Sequence, residues 1–524
     1  MHLRRTFLFS LIIFLTNTQS QCGRILAIQP FPAKSHMAVF SELTVELAHR
    51  GHELVVVSAF PLSKPMANYT DIDIMGKVRE EQERMMNEKL YEGAELPMFL
   101  RPIVIWNKGL HVTDMVINIS EVKQLLEDKR GFDLVIVEAF INEAFYGFAD
   151  FFKAPLVLLA PFGGFRIVND GAANPTPLSY VPNCMLPLSD QMTFFERLKN
   201  IVFTLFWDIG QQFYYLPRQE AIRKKIFGDQ GKNVWELSNY VSLTLLNSHI
   251  SLSYPRPLVP SIIEVGGMHV KQKSKKLPAD IQDFLDGARE GVILFSMGSN
   301  LRSDKMPVEK RNAFVAAFAA LPQRVLWKWE SDEMPGLSPN VKISKWLPQQ
   351  DILAHPNLQV FIMHGGLLSL QEATYHGVPV VGIPVFGDQS LNMHKAELGG
   401  YGVKLSLKNV TKQSILWALG TVLHDNSFQR EAQRRSAIFR DQSETPLERA
   451  AFWTEYVLRH KGAHHLRTAA TNLAWYQLYL LDVAAVFLAA LVIFFYMLRA
   501  LKSLCFRTQK QKISDKKVKE KKKK

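Results

Sequence analysis

The sequence predicts an α/β protein of two doubly wound domains facing each other across a cleft, with an apolar helix near the C-terminus. Three observations lead there. Short runs of Val, Ile and Leu alternate with helical patterns in both halves of the chain, the pattern of parallel strands joined by crossover helices. The 524 residues exceed what a single core usually holds. Residues 270–277, rich in lysine and poor in apolar side chains, separate the halves as a linker.

Taken in order, the chain opens with a leader. Arg4 and Arg5, an apolar run over residues 7–15 and the small polar residues Thr18, Gln19 and Ser20 predict a secretory signal peptide over residues 1–20. The run is too short for a membrane span. Residues 21–269 then form the first domain. Residues 24–28 read as a buried strand, 29–36 as a loop and 40–50 as a helix stopped by Gly51. Strands follow at 54–57, 134–137 and 155–159. The Phe-rich stretches 192–206 and 213–216 suggest an apolar pocket or a membrane-adjacent surface. The second domain, residues 278–442, restarts with a strand at 292–295 and a Ser-Met-Gly-Ser turn. Strands at 324–328, 341–344 and 360–363 lead to the turn His364-Gly365-Gly366, a helix over 367–375 and a strand at 380–383.

Residues 473–498 predict a transmembrane helix, in which residues 483–498 carry no charge. Trp475, Tyr476 and Tyr479 suit an interfacial belt, and the tail 499–524 holds 12 Lys/Arg against 2 Asp/Glu. This orientation is single-pass type I, with the body outside the cytosol. The terminal lysines resemble a dilysine retrieval signal as well as a plain basic stop-transfer flank, and the expected location is the endoplasmic reticulum membrane. The formal charge of +13 therefore sits mostly in the tail, and the nearly neutral body argues against a nucleic-acid partner. Cys22, Cys184 and Cys505 have no zinc or redox spacing. A Cys22–Cys184 disulfide could form in an oxidising lumen, but Cys22 lies so near the leader's end that free thiols are expected. The sequons at Asn68, Asn118 and Asn409 are expected to be glycosylated in the lumen.

The stretch from Trp346 to Gln389 carries the chemistry. It sets a Trp-Leu-Pro-Gln turn, the His364-Gly365-Gly366 turn, Glu372 and an Asp388-Gln389 pair on successive loop ends of a βαβ pattern. Glycines at a strand-to-helix junction let the backbone approach a ligand, and the helix N-terminus suits phosphate. All 44 residues of this stretch resemble the signature of the UDP-glycosyltransferase family, which includes the animal UDP-glucuronosyltransferases. The overall style is similar to insect members. The resemblance runs from leader to tail and implies the GT-B fold of two Rossmann-like domains. It also implies a return helix over residues 443–459, within a segment 443–472 that leads to the membrane.

The resemblance implies a UDP-sugar site. Trp346 would stack on the base and Gln349 would bond the uracil edge. Glu372 would accept the ribose hydroxyls. His364, the backbone after it (Gly366) and Ser369 would hold the diphosphate, with Ser296, Gly298 and Ser299 aimed at the same phosphates and Asn392 in reach. Asp388 and Gln389 would bond the sugar. Read alone, Trp346 fits a core anchor equally well, and Ser299 a helix cap.

His36 follows the first strand, where a neutral imidazole can take the acceptor's proton as its oxygen attacks the anomeric carbon. The family places an acid after the strand at 134–137 to orient that histidine, and the matching residue is Glu138. Vertebrate relatives usually carry Asp there, which leaves the geometry of the pair to be tested. No metal constellation is evident and no cofactor is expected. The expected activity is inverting transfer of a hexose, glucose in preference to glucuronate, to a hydroxyl of a lipophilic small molecule, as in detoxification. A glucuronate carboxylate would want a cation, for which Arg256 is a candidate, although it fits a brace for the interdomain linker equally well. The alternatives are a catalytically weak membrane-anchored ligand binder and a transferase serving lipid or glycan assembly. Self-association is left open.

Overall fold

The computed structural model describes residues 22–87, 91, 96–164 and 166–522. The expected leader (residues 1–20) and the last two lysines lie outside them. The first sheet contains β1 (Arg24–Gln29), β2 (Glu53–Ser58), β3 (Tyr69–Asp73), β4 (Leu134–Glu138), β5 (Leu156–Ala160), β6 (Leu243–Leu246) and β7 (Ile262–Glu264). Its order is β3-β2-β1-β4-β5-β6-β7, with every pairing parallel. The second sheet contains β8 (Val292–Ser296), β9 (Arg324–Lys328), β10 (Val341–Ser344), β11 (Leu358–Met363), β12 (Val380–Gly382) and β13 (Gly402–Lys404). Its order is β10-β9-β8-β11-β12-β13, again all parallel.

Both sheets are buried on both faces, which explains their near-continuous apolar strands. In β1, Leu26 and Ile28 join one core while Ile25 and Ala27 join the other. In β8, Ile293 and Phe295 point one way, and Val292 and Leu294 the other. Each sheet also reverses its direction of growth once, between β1 and β4 in the first and between β8 and β11 in the second. Ligands of open α/β sheets bind at such switch points, outside the carboxyl ends of the strands.

Several elements differ from expectation. The first helix is Lys34–His49, so its first turn takes in His36, expected on a loop. The connection bends at Phe31, where Ala33 N–H donates to Phe31 O at 2.7 Å, and the helix starts directly after Ala33, its N-cap. Strands β3, β6, β7 and β13 have no counterpart in the sequence reading. Strand β3 is partly exposed and polar (Tyr-Thr-Asp-Ile-Asp), and β7 and β13 have three residues each, too few for a periodicity. Ser299 precedes no helix that it caps; a short 3-10 turn at Ser303–Lys305 follows. The Phe-rich stretch forms a helix, Phe194–Gly210, which buries Phe203 and Trp207 but leaves Phe194, Phe195, Leu198 and Ile209 exposed.

The helix Pro446–Arg459 runs back onto the first domain. Its Ala450, Ala451 and Val457 join the core that holds Leu43 and Leu47 of the helix Lys34–His49. Thr445 and Glu448 close its N-terminus as a capping box. The three cysteines are free, and Asn68, Asn118 and Asn409 are all exposed.

From Thr468 the chain forms a second unit. Its helix Leu481–Lys521, 41 residues, is long and apolar enough to cross a membrane. The expected single helix over 473–498 is broken. Trp475–Leu478 is a separate turn of helix, and Leu480 takes a left-handed conformation (φ 54°) before the long helix begins. The basic tail continues the helix as far as Lys521.

Candidate active site

At the first switch point, His36 and Glu138 meet. Register pairs Ile28 with Val137, so β1 and β4 end side by side. Glu138 is the last residue of β4, 1% exposed, and its Oε1 lies 2.5 Å from His36 Nδ1. Gln29 Nε2 donates to the other oxygen, Oε2, at 3.3 Å. A carboxylate has no proton to give, so it selects the tautomer with Nδ1–H and leaves Nε2 with a free lone pair. The ring sits among Phe31, Phe140 and Phe162, with centroids 5.8, 4.9 and 6.2 Å away.

The second switch point is built from two glycine turns. Gly298 (φ 85°) follows β8, and Gly365 (φ 86°) and Gly366 follow β11. The His364 ring is packed between them. A Cβ on Gly298 would fall 2.5 Å from His364 Cε1, and one on Gly366 would fall 2.4 Å from Nε2. Burial, with Lys328 second, pulls the His364 pKa down to about 4, so the ring is neutral near pH 7. The positive charge here comes from lysines. Lys328 Nζ donates to Gly298 O at 2.8 Å and pairs with Glu330 at 2.7 Å. Lys34, from the first domain, sets its ammonium 3.9 Å above the Trp346 ring centroid. Trp346 itself is 59% exposed, so it is not a core anchor.

Behind the His364 turn, Glu372 is buried in a polar knot. Gln349 Nε2 donates to its Oε2 at 2.5 Å and Gln350 Nε2 to its Oε1 at 3.1 Å. Gln349 also donates to Ser369 Oγ at 3.0 Å, which places Ser369 with Gln349 and Glu372. His269 Nε2 lies 3.6 Å from Glu372 Oε1. Burial raises the Glu372 pKa to about 7, against the two glutamine hydrogen bonds that lower it.

Asp388 and Asn392 face the first domain. Asn392 Nδ2 donates to Asp388 Oδ2 at 2.9 Å and to Gly365 O at 3.0 Å, tying the carboxylate to the glycine turn. Gln389 is 3% exposed, and its Oε1 accepts from the Val385 and Phe386 N–H groups at 2.8 and 3.0 Å. Ser296 is buried and its Oγ accepts from Gly298 N at 3.2 Å, while Ser299 is partly exposed.

A cavity of about 660 Å³ lies between the two domains, with His36, Phe140 and Phe162 on one side and Phe386, Asp388 and Asn392 on the other. Sequence reasoning missed Gln29, His269, Lys34, Lys328 and Gln350. Long amines and amides belong to no spacing rule, and only the fold brings them together. Among the described residues, no group of three or more His, Cys, Asp or Glu is placed to hold a metal.

Two doubly wound sheets, a cleft cavity between them and a returning helix define the GT-B architecture. The fold matches the solved glycotransferase of kitacinnamycin with a TM-score of 0.56 at 18% identity, covering 83% of this chain and 99% of that one. Residues 23–520 match the family described as UDP-glucoronosyl and UDP-glucosyl transferase, and the chain belongs to that family. It is 38% identical over 479 residues to UDP-glycosyltransferase UGT5 of Dactylopius coccus, covering 89% of each chain. It is 36% identical over 509 residues to UDP-glucosyltransferase 2 of the same insect, covering 94% of this chain and 95% of that one. The protein is thus a sugar-transferring enzyme whose substrates are a UDP-sugar and an acceptor.

Proposed function

We propose that the enzyme moves a hexose, glucose in preference to glucuronate, from its UDP-sugar to a hydroxyl of a small lipophilic acceptor. His36 Nε2 takes the hydroxyl proton while the acceptor oxygen attacks the anomeric carbon from the face opposite the leaving UDP. The product is therefore inverted. Glu138 stabilises the imidazolium that forms. On the donor side Trp346 stacks on the base, and Gln349, Ser369 and Glu372 hold the nucleoside. Asp388 and the Gln389 amide hold the sugar. The leaving diphosphate is met by backbone N–H groups of the two glycine turns, Ser296, Ser299 and the N-terminus of the helix Leu367–His376. A neutral His364 contributes a hydrogen bond there, and Lys328 and Lys34 contribute charge.

The observation that carries the proposal is the His36–Glu138 contact on the wall of an aromatic cavity that also holds Asp388. The glutamate reaches the ring, which supports turnover over the reading of the chain as a ligand binder. Glucose as the sugar is favoured by the relative named a glucosyltransferase. The helix Leu481–Lys521 and the exposed sequons fit a single-pass endoplasmic reticulum protein with a lumenal, glycosylated body serving detoxification. No cofactor or metal is invoked.

The test is a donor screen on microsomes containing this chain, offering UDP-glucose, UDP-glucuronate, UDP-galactose, UDP-xylose and UDP-N-acetylglucosamine with a panel of phenols. The expected result is a hexose adduct by mass from UDP-glucose above all others. Adducts from UDP-glucuronate alone contradict the sugar assignment, and UDP binding without any adduct contradicts transfer to such acceptors.

A further inference from the structure

Gln350 joins the Glu372 carboxylate to the segment that leads from β7 of the first sheet to β8 of the second. Three hydrogen bonds define it. The Lys271 N–H donates to Gln350 Oε1 at 2.9 Å. Gln350 Nε2 donates to His269 O at 3.2 Å and to Glu372 Oε1 at 3.1 Å. The backbone fixes which way this amide faces. An N–H only donates and a carbonyl only accepts, so the amide oxygen faces Lys271 and the nitrogen faces His269. Its second hydrogen is thereby left for Glu372. Asp351, the next residue, grips the same segment, its Oδ1 accepting from the Lys275 N–H at 2.7 Å. Around Glu372 stand His269 and Lys271. The His269 ring lies 3.6 Å from Oε1, and burial holds it neutral, with a pKa of about 4. Lys271 is in electrostatic range of Glu372 and of Glu42, on the helix Lys34–His49.

A ribose diol needs a carboxylate held still, with lone pairs left for both hydroxyls. Gln349 donates to one oxygen of Glu372 and Gln350 to the other, which fixes the plane of the group. Each oxygen has two lone pairs and receives one glutamine hydrogen, so each can still accept a hydroxyl. Both glutamines also favour the ionised carboxylate against the burial that opposes it. We propose that Gln350 is a positioning residue for the nucleotide, which ties Glu372 to the backbone between the domains and holds it ready for the ribose hydroxyls. This rests on reading Glu372 as the ribose acceptor. Gln350 itself needs no contact with the nucleotide. The interdomain segment thus enters donor recognition, because the backbone at residues 269–271 sets the direction of the amide.

The test measures equilibrium binding of UDP and 2′,3′-dideoxy-UDP to the detergent-solubilised full chain from about pH 6 to about pH 8. The diphosphate titrates alike in both ligands, so the ratio of their affinities reports the ribose hydroxyls. The wild type is expected to prefer UDP about tenfold at the upper end. That preference should rise through about pH 7 as Glu372 ionises. Gln350→Met should cut it about threefold at neutral pH and move its rise to higher pH, because one hydrogen bond to the ionised form is gone. Gln350→Glu still accepts from the Lys271 N–H but sets an acceptor against Glu372, and should lose the preference as well. Affinity for 2′,3′-dideoxy-UDP shows whether each variant has folded. A wild type without preference at any pH removes Glu372 from the ribose, and the inference falls with that reading. A preference that Gln350→Met leaves unchanged in size and in pH midpoint overturns the inference alone. An equal loss of affinity for both ligands in Gln350→Met assigns the residue to the fold and overturns it too.

Discussion

Glu138 is the residue at which chemistry and geometry meet most closely. Its extra methylene relative to aspartate is taken up at the end of β4, leaving Oε1 2.5 Å from His36 Nδ1. Glu138→Asp withdraws the carboxylate by one carbon, so kcat should fall by less than tenfold. Glu138→Ala should cost about 10²-fold or more, because the imidazolium loses its partner. Steady-state kinetics with UDP affinity as a control distinguish the two, and an active alanine variant would show that another group orients the ring. Gly366→Ala should abolish donor use, since a Cβ there meets His364 Nε2 at 2.4 Å. Titration of UDP against the variant reads this directly. Glu372 gives a pH dependence of known sign. Folding raises its pKa from 4.5 to about 7, so its contribution to stability is full below pH 4.5 and is lost as pH rises to about 7. Glu372→Gln does not titrate. In the ligand-free protein the Tm of the variant minus that of the wild type should therefore increase from pH 4.5 to pH 7, and a constant gap would contradict the assignment.

At the scale of elements, the helix Lys34–His49 carries His36 at its start and packs along its length against the returning helix Pro446–Arg459. His36, the proposed base, is thus held from behind by residues more than 400 positions later in the chain. Thr445→Ala opens the capping box of the returning helix and should lower stability by about 1 kcal/mol, read in denaturant unfolding. The elements legible in the sequence were those with a strong apolar run and a glycine or proline boundary, such as β1, β8, β11 and the helix Leu367–His376. Those missed lacked one or the other. Strand β3 is an edge strand with two aspartates, and β13 is defined only by its pairing with β12. The start of the first helix was misplaced because Lys34, Ser35 and His36 add no apolar periodicity, although the backbone is already helical there.

At the scale of the whole molecule, the residues of the proposed donor side could be picked out from the Trp346–Gln389 stretch because they are close in sequence and sit on one βαβ unit. Those of the proposed acceptor side could not, because that side is assembled from distant segments. His36, Phe140, Phe162 and Asp388 share a cavity only once the two sheets face each other. The cations fared the same way: Lys34 meets Trp346 over 312 positions of sequence, and no local pattern announces such a contact. In the proposed mechanism the base at the first switch point acts on an acceptor in that shared cavity, while the second switch point binds the nucleotide independently. Turnover of UDP-glucose by His36→Ala, measured alongside its affinity for UDP, tests this most directly. The account predicts a loss of about 10³-fold in kcat with UDP affinity within about threefold of the wild type. Turnover at the wild-type rate would contradict it, and would mean that the proton leaves by another route.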